Sequence, residues 1–162
     1  NRAIGTSFET IWNDGGNYVY PSSALPMTIV SSSASDTMQV LVSGLDASYN
    51  EVNQTLTLTG TSPVAIPASL LRINSAIILS GENVGNITIA NGGVTYGYIE
   101  ALLGVTQSCV YTVPAGYDVY IFRILLTPQP PMARNTYSLA LSTDQAMAEL
   151  SACLTPPLQL PN

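Results

Sequence analysis

Histidine and lysine are absent from the 162 residues, and the only basic side chains are four arginines. Without histidine, neither a Ser-His-Asp nor a Cys-His catalytic arrangement can form. Without lysine, Schiff-base and Ser-Lys mechanisms are also excluded. A formal net charge of −6 repels a phosphate backbone, so we do not expect nucleic-acid binding.

Charge of either sign is scarce. Only 9% of the residues are charged, whereas an ordinary soluble domain has about a quarter. Hydrophobic residues make up 46% of the chain, and Ser, Thr, Asn and Gly fill much of the rest. A neutral surface of this kind protects a lone monomer poorly against association. The composition therefore favours a permanently assembled protein.

Long apolar runs and a cysteine framework are missing too. The longest apolar runs, 76–79 and 119–122, are far shorter than the roughly 20 residues of a spanning helix, so no membrane partner is expected. The chain begins with Asn1 and no signal-peptide pattern follows, which leaves a removed signal peptide open. Cys109 and Cys153 are expected to be buried, reduced thiols, because two cysteines are not a disulfide scaffold.

The stretch from Met38 to Val64 predicts a β-hairpin. Val40 and Val42 alternate with other residues in the first arm, residues 44–51 supply turn residues, and Thr alternates with Leu in the second arm. The first arm is apolar on both faces at residues 40–42, which places it deeper in a sheet. A second hairpin is predicted around Asn91-Gly92-Gly93, since glycine adopts the positive φ of a tight turn.

Further short alternating or apolar runs predict more strands. They lie at 27–30, 70–80, 86–90, 94–99, 108–113, 117–126 and 136–141. We therefore expect an all-β fold, a β-sandwich or jelly-roll-like barrel of about ten short strands with extended termini.

The C-terminal region predicts one short helix. Ser142 and Gln145 match a capping box, and Ala146, Met147, Leu150 and Leu154 share one helical face. Prolines 156, 157 and 161 then end the helix. The expected organisation is an N-terminal arm at 1–9, a β-sandwich domain at 10–142, and a C-terminal helix with a proline-rich tail at 143–162.

Few acidic residues are placed for chemistry. Asp46 and Glu51 flank one loop, as sugar-cleaving carboxylates can, but the same positions suit turn chemistry better. Asp14, in an Asn-Gly-rich turn, is a single carboxylate where a calcium site needs several. Gly92 and Gly93 are too few to cradle a phosphate. We assign no catalytic, cofactor-binding or metal-binding residue and expect a protein that is not an enzyme.

Aromatic and tail residues are the better candidates for a site. Nine tyrosines, several spaced by two, suit a subunit contact or core, and less well a carbohydrate-binding face. The terminal segments 1–9 and 155–162 are expected to lie against neighbouring subunits, because the stiff tail carries two leucines. The predicted interface residues are Trp12, Tyr18, Tyr20, Tyr96, Tyr98, Leu158 and Leu160.

The central hairpin resembles a signature of virion structural proteins of tailed bacteriophages, notably those of marine and cyanobacterial hosts. The similarity rests on Val42–Glu51 and Gln54–Val64, and it extends over residues 7 to 123. Supporting segments are Ile11-Trp12, Tyr18 to Pro21, Val30 to Asp36, Leu71 to Asn74, Asn86 to Ile89 and Tyr111 to Gly116.

This resemblance implies a structural protein of the phage particle. The role it favours is a capsid cement, or decoration, protein that forms a homo-oligomer, with a trimer as one form. Its partners would be the major capsid protein or other virion proteins, and its location the virion. An alternative is a tail, baseplate or fibre-associated module that recognises a host-surface glycan, and a secreted enzyme is the weakest reading.

Overall fold

The structure is a computed structural model that describes residues 9–121, 136–142 and 147–155. All regular elements in these ranges are β-strands, which confirms the all-β prediction. Their bounds are β1 Glu9–Thr10, β2 Thr28–Ser31, β3 Gln39–Leu45, β4 Glu51–Thr57, β5 Val64–Ala65, β6 Arg72–Ile78, β7 Ile87–Asn91, β8 Val94–Ile99, β9 Val110–Thr112, β10 Thr136–Ser142 and β11 Met147–Thr155.

The predicted central hairpin forms two strands of a three-stranded antiparallel sheet. β3 lies between β4 and β6, and it pairs with β4 from Gln39↔Thr57 to Leu45↔Glu51. Val40 and Val42 are buried, and Leu41 on the opposite face is half-buried. The residues that are apolar on both faces therefore belong to the central strand, as the sequence predicts.

The second predicted hairpin joins β7 to β8 in a four-stranded antiparallel sheet of order β5-β2-β7-β8. Asn91 pairs with Val94, so the turn contains only Gly92 and Gly93. Their φ angles are 58° and 82°, which are the angles of a type I′ turn. This turn matches the twist of the flanking strands, and the hairpin prediction is confirmed.

These two sheets share one apolar core. Ile29, Ile87 and Ile89 from the four-stranded sheet join Val40 and Val42 from the three-stranded sheet in a single buried cluster. Each such side chain contributes roughly 1.5–3 kcal/mol when it is fully buried. The alternating patterns of the strands thus bury one face of each sheet in the same core.

The third sheet corrects the predicted C-terminal helix. Met147–Thr155 is strand β11, which pairs with β10 along one edge and with β1 and β9 along the other. The segment also alternates with period two, since alanine or leucine occupies positions 148, 150, 152 and 154. The sequence of this segment fits both the helical period and the period of two of a strand. Pairing with three strands that are distant in sequence favours the strand.

Two further expectations are wrong. Residues 117–121 belong to no strand, although a strand was predicted at 117–126, and its remainder lies outside the described residues. Cys109 is an exposed free thiol, not a buried one. Among the described residues, no helix has the length and apolar character needed to cross a membrane.

Candidate functional site

The predicted N-terminal aromatic residues form an edge-to-face cluster with one another. The ring centroids of Trp12 and Tyr18 are 5.1 Å apart, and those of Tyr18 and Tyr20 are 4.9 Å apart. The guanidinium carbon of Arg72 lies 5.3 Å from the Tyr20 centroid, a cation–π contact. Tyr18 is only 7% exposed, and its hydroxyl donates to the backbone oxygen of Tyr96 at 3.2 Å. This cluster fastens the N-terminal segment to the core.

Tyr96 and Tyr98 do not share a face of β8, although their spacing predicts it. The register between β7 and β8 shifts between Ile89, which pairs with Gly97, and Ala90, which pairs with Thr95. Tyr96 is therefore the extra residue of a β-bulge, and both it and Gly97 are buried while Tyr98 is half-exposed. With 7% exposure, Tyr96 is a core residue of this chain.

A cleft lies between the aromatic cluster and β8, and it is small. Trp12, Tyr18, Tyr96 and Tyr98 line it together with Asn74 and the segment 106–108. Its interior volume is about 10 Å³, which is room for about one water molecule. Small-molecule pockets are usually some 300–1,000 Å³. The predicted aromatic residues thus do not enclose a ligand pocket.

Tyr98 lies at the acidic rim of this cleft. Desolvation raises the pKa of its hydroxyl, and the nearby carboxylates of Asp14 and Glu100 raise it further. Glu100 accepts a hydrogen bond from the Asn13 side chain at 3.1 Å. Among the residues that the structure describes, no three His, Cys, Asp or Glu side chains are grouped to hold a metal ion.

Asp46 is a turn residue in the structure. Its carboxylate accepts hydrogen bonds from the backbone N–H groups of Ser48 at 2.8 Å and Asn50 at 2.9 Å, and from the Asn50 amide at 3.1 Å. The hydrogen bonds from Asn50 are the main cause of a lowered pKa at Asp46. A glycosidase acid requires a raised pKa, so this environment favours the turn role over the sugar-cleaving one.

Two buried polar residues that the sequence did not single out hold the surface loops. The fully buried Asp36 accepts hydrogen bonds from the Ser31 hydroxyl and from the N–H groups of Val84 at 2.8 Å and Gly85 at 3.0 Å. Desolvation alone would raise the pKa of Asp36, but the three hydrogen bonds outweigh it and lower the pKa. Asp36 therefore joins two loops that are distant in sequence.

Asn83 is the second of these residues. Its amide donates to the backbone oxygens of Gly85 at 2.8 Å and Glu100 at 2.9 Å, and its side-chain oxygen accepts from the N–H of Gly104 at 3.1 Å. The backbone N–H of Leu102 also donates to the backbone oxygen of Asn83 at 2.9 Å. Loop 100–104 is therefore fixed against loop 83–85 by a fully satisfied buried amide.

These loops present an apolar surface beside strand β6, here named the β6 patch. It contains exposed large hydrophobic side chains from β6 and from the loops 79–84 and 102–103: Ile77, Leu79, Val84, Leu102 and Leu103. Loop 100–105 lies along the edge of β6, because the N–H of Ile78 donates to the Gly104 oxygen at 2.8 Å and Ile77 forms a bridge with Val105. Grouped exposed hydrophobic residues mark interaction surfaces more often than single ones do.

Leu102 combines two unusual features within this patch. Its side chain is 67% exposed, and its φ angle is 68°, in the left-handed region. That conformation costs a bulky residue about 1–2 kcal/mol. Backbone strain of this kind concentrates at functional sites. The sequence signal for it is weak, because the segment Ala101-Leu102-Leu103 carries no turn residue before Gly104.

A second exposed apolar stretch follows β9. Tyr117 and Tyr120 are 72% and 74% exposed, and Val119 and Ile121 are exposed as well. The remaining predicted contact residues, Leu158 and Leu160, lie outside the described residues, as does the N-terminal arm before Glu9. Their assignment to an interface stays a prediction.

Comparisons with protein-family models, with curated proteins and with solved structures return no match. The resemblance of the central hairpin to phage virion proteins therefore stays a prediction from the sequence.

Proposed function

We propose that the protein is a non-enzymatic structural component of a bacteriophage particle, a capsid cement protein that binds and stabilises neighbouring capsid subunits. We further propose that its fold is a β-sandwich, in which the two sheets that share one core pack face to face. The observation that carries the proposal is Leu102, a strained and exposed leucine of the β6 patch. In an isolated monomer the exposed Leu102 side chain adds no stability, whereas a contact with a neighbouring subunit would bury this side chain.

The surface chemistry supports an assembly role. Apart from Glu82 at the tip of its loop, the segment 76–84 contains no charged residue, and loop 101–106 contains none. The cores of protein interfaces are depleted in charge in the same way. Burial of one leucine contributes roughly 1.5–3 kcal/mol, and symmetry multiplies such a contact over a particle.

Leu102→Asn tests this role without weakening the fold. Asparagine tolerates positive φ better than leucine, so the melting temperature should stay the same or rise. Loss of the buried leucine should weaken attachment to capsids by about tenfold or more. The measurement is the fraction of protein retained on purified particles after graded heating.

Val19→Asn is the matched control, because Val19 is an exposed apolar residue outside the β6 patch. It should leave retention unchanged. Equal retention of the wild-type protein and the Leu102→Asn variant would contradict a role of this patch in capsid binding.

A glycan-binding module of a tail or fibre is the second candidate, and the exposed Tyr117 and Tyr120 favour it. Aromatic rings can stack on sugars when their faces are accessible. A glycan array with the wild-type protein and with Tyr117→Ala and Tyr120→Ala discriminates the two functions. Glycan binding that both substitutions abolish would favour this candidate over capsid cementing.

A further inference from the structure

Strand β4 has an open edge in the part of the chain that the structure describes. It is the terminal strand of its sheet and, among the described residues, it pairs only with β3. The N–H of Leu58 donates to the Met38 oxygen and the N–H of Asp46 to the Asn50 oxygen, both at 3.0 Å. Because hydrogen-bonded and non-bonded positions alternate in an antiparallel pair, the even-numbered residues of β4 bond to β3. The backbone N–H and C=O groups that face the free edge belong to Glu51, Asn53, Thr55 and Thr57.

This edge lacks the features that usually block further pairing. β4 contains no proline and no lysine, and its register with β3 is uninterrupted over all seven pairs. Its single charge, Glu51, lies at one end. Protected edge strands are instead short, bulged, or carry inward charges, lysine or proline. β4 is therefore suited to accept another strand.

We propose that β4 pairs antiparallel with β4 of a second copy of this chain, around a two-fold axis at Gln54. The two three-stranded sheets then form one continuous sheet across the dimer. In this register Glu51 lies opposite the partner's Thr57 and Asn53 opposite the partner's Thr55. Every outward-facing N–H and C=O group of the strand then has a hydrogen-bond partner in the second copy, and no charged side chain lies opposite one of the same sign.

The other face of the paired strands is also self-complementary. Val52 is half-buried and lies opposite the partner's Leu56, which is buried within its own chain, so an apolar pair meets on the core side. Gln54 lies opposite its own copy at the axis, and its side-chain oxygen accepts from the N–H of Ala68 of the same chain at 3.5 Å. A two-fold axis requires such self-matching, and the outward-facing backbone groups of β4 and its Val52–Leu56 pairs provide it. The inference holds whether or not the chain is a capsid protein.

Thr55→Pro tests the pairing through the backbone. Proline removes the N–H that faces the partner and places its ring at the contact, while the bonds of β4 to β3 remain. We expect the wild-type protein to be a dimer by light scattering during gel filtration, and Thr55→Pro to raise the dissociation constant at least about tenfold. Thr55→Val, which keeps the N–H, should remain dimeric with the same circular dichroism spectrum.

Gln54→Cys tests the register in a background with Cys109→Ser and Cys153→Ser. Residues at position 54 of the two copies form a non-hydrogen-bonded pair about 4.5 Å apart at Cα, within the range of a disulfide. Mild oxidation should therefore give a covalent dimer. Asn53→Cys is the control and should not cross-link, because position 53 lies opposite position 55 of the partner.

Three results would overturn the proposal. They are a wild-type chain that stays monomeric, a Thr55→Pro variant that dimerises as well as Thr55→Val, and cross-linking through Asn53→Cys as efficient as through Gln54→Cys. If Thr55→Pro fails to fold, the two cysteine variants decide the question alone.

Discussion

Asp36 connects three backbone segments that lie apart in the chain. Its carboxylate joins the serine-rich loop at 31–35 to the loop at 83–85, and its backbone oxygen accepts from the N–H of Gly60 at 2.9 Å. Buried charges are tolerated only when they are hydrogen-bonded in this way. A local sequence pattern cannot reveal such a residue, because its partners are distant along the chain.

Asp36→Asn should destabilise the protein at neutral pH by about 1.5–3 kcal/mol, since the new amide would face two backbone donors. The pKa of Asp36 is lowered in the folded state, so its stabilisation is present above the unfolded pKa of about 3.9. That stabilisation is lost as the pH falls through the folded pKa. Urea unfolding of both proteins at pH 7 and at successive values below 4 measures the difference.

Asp118→Asn, at an exposed position, is the control and should change the free energy of unfolding by less than about 0.5 kcal/mol. A difference between the wild-type protein and Asp36→Asn that stays constant down to pH 2 would contradict this account.

Gly92 allows a matched test of backbone conformation. It has φ 58°, and a Cβ added there would meet no atom within 4 Å, so only the conformation opposes a side chain. Gly92→Val should cost about 1–2 kcal/mol, because a branched residue tolerates positive φ poorly. Gly92→Asn should be close to neutral, since asparagine is preferred at this position of a type I′ turn. Thermal unfolding of both variants makes the comparison, and equal losses would contradict the turn assignment.

Among the structural elements, β9 pairs with β11 and is also held by one asparagine of β6. The register between β3 and β6 shifts after Ser43, which leaves Asn74 as the extra residue of a β-bulge. Its amide donates to the Thr112 oxygen at 2.8 Å, and its side-chain oxygen accepts from the Thr112 N–H at 3.0 Å. The side chain thus takes the place of a backbone partner and attaches β9 to the edge of β6.

Asn74→Ala should therefore detach β9 locally and cost about 1–3 kcal/mol, because two backbone groups of Thr112 lose their partner. The most direct measurement is hydrogen exchange at the Thr112 amide, whose protection should fall. Asn53→Ala, on the exposed face of β4, is the control and should leave that protection intact. Unchanged exchange at Thr112 in Asn74→Ala would show that the sheets alone hold β9.

For the whole molecule, stability is expected to come from the shared core, without disulfide or metal. Val110 pairs with Glu149, which places Cys109 and Cys153 about 10 Å apart along the strands, beyond the roughly 7 Å that a disulfide spans. Desolvation raises the pKa of the Cys109 thiol, so its reactive thiolate is disfavoured at neutral pH.

The melting temperature should accordingly be unaffected by dithiothreitol or by EDTA, each added alone. Differential scanning calorimetry at one protein concentration gives the comparison, with buffer-matched samples as the control. A fall of more than a few degrees with either reagent would indicate a cross-link or a bound metal ion that supports the fold.

The sequence by itself determined the elements whose signals are local. Alternation and turn residues predicted both hairpins, since a strand with one buried face must alternate and a type I′ turn needs residues that tolerate positive φ. The double-sided apolar run of β3 also predicted its central position. The absence of histidine and lysine excluded every mechanism that needs one of these side chains, because a missing residue type cannot be supplied by any fold.

Tertiary structure alone decided the features that depend on partners distant in the chain. Met147–Thr155 carries helical and strand periods together, and pairing with three strands selected the strand. Bulges at Asn74 and Tyr96 changed which side chains face the core, because one inserted residue reverses the alternation beyond it. The strained Leu102 and the open edge of β4 arise only from how loops and strands pack, so no local pattern predicts them.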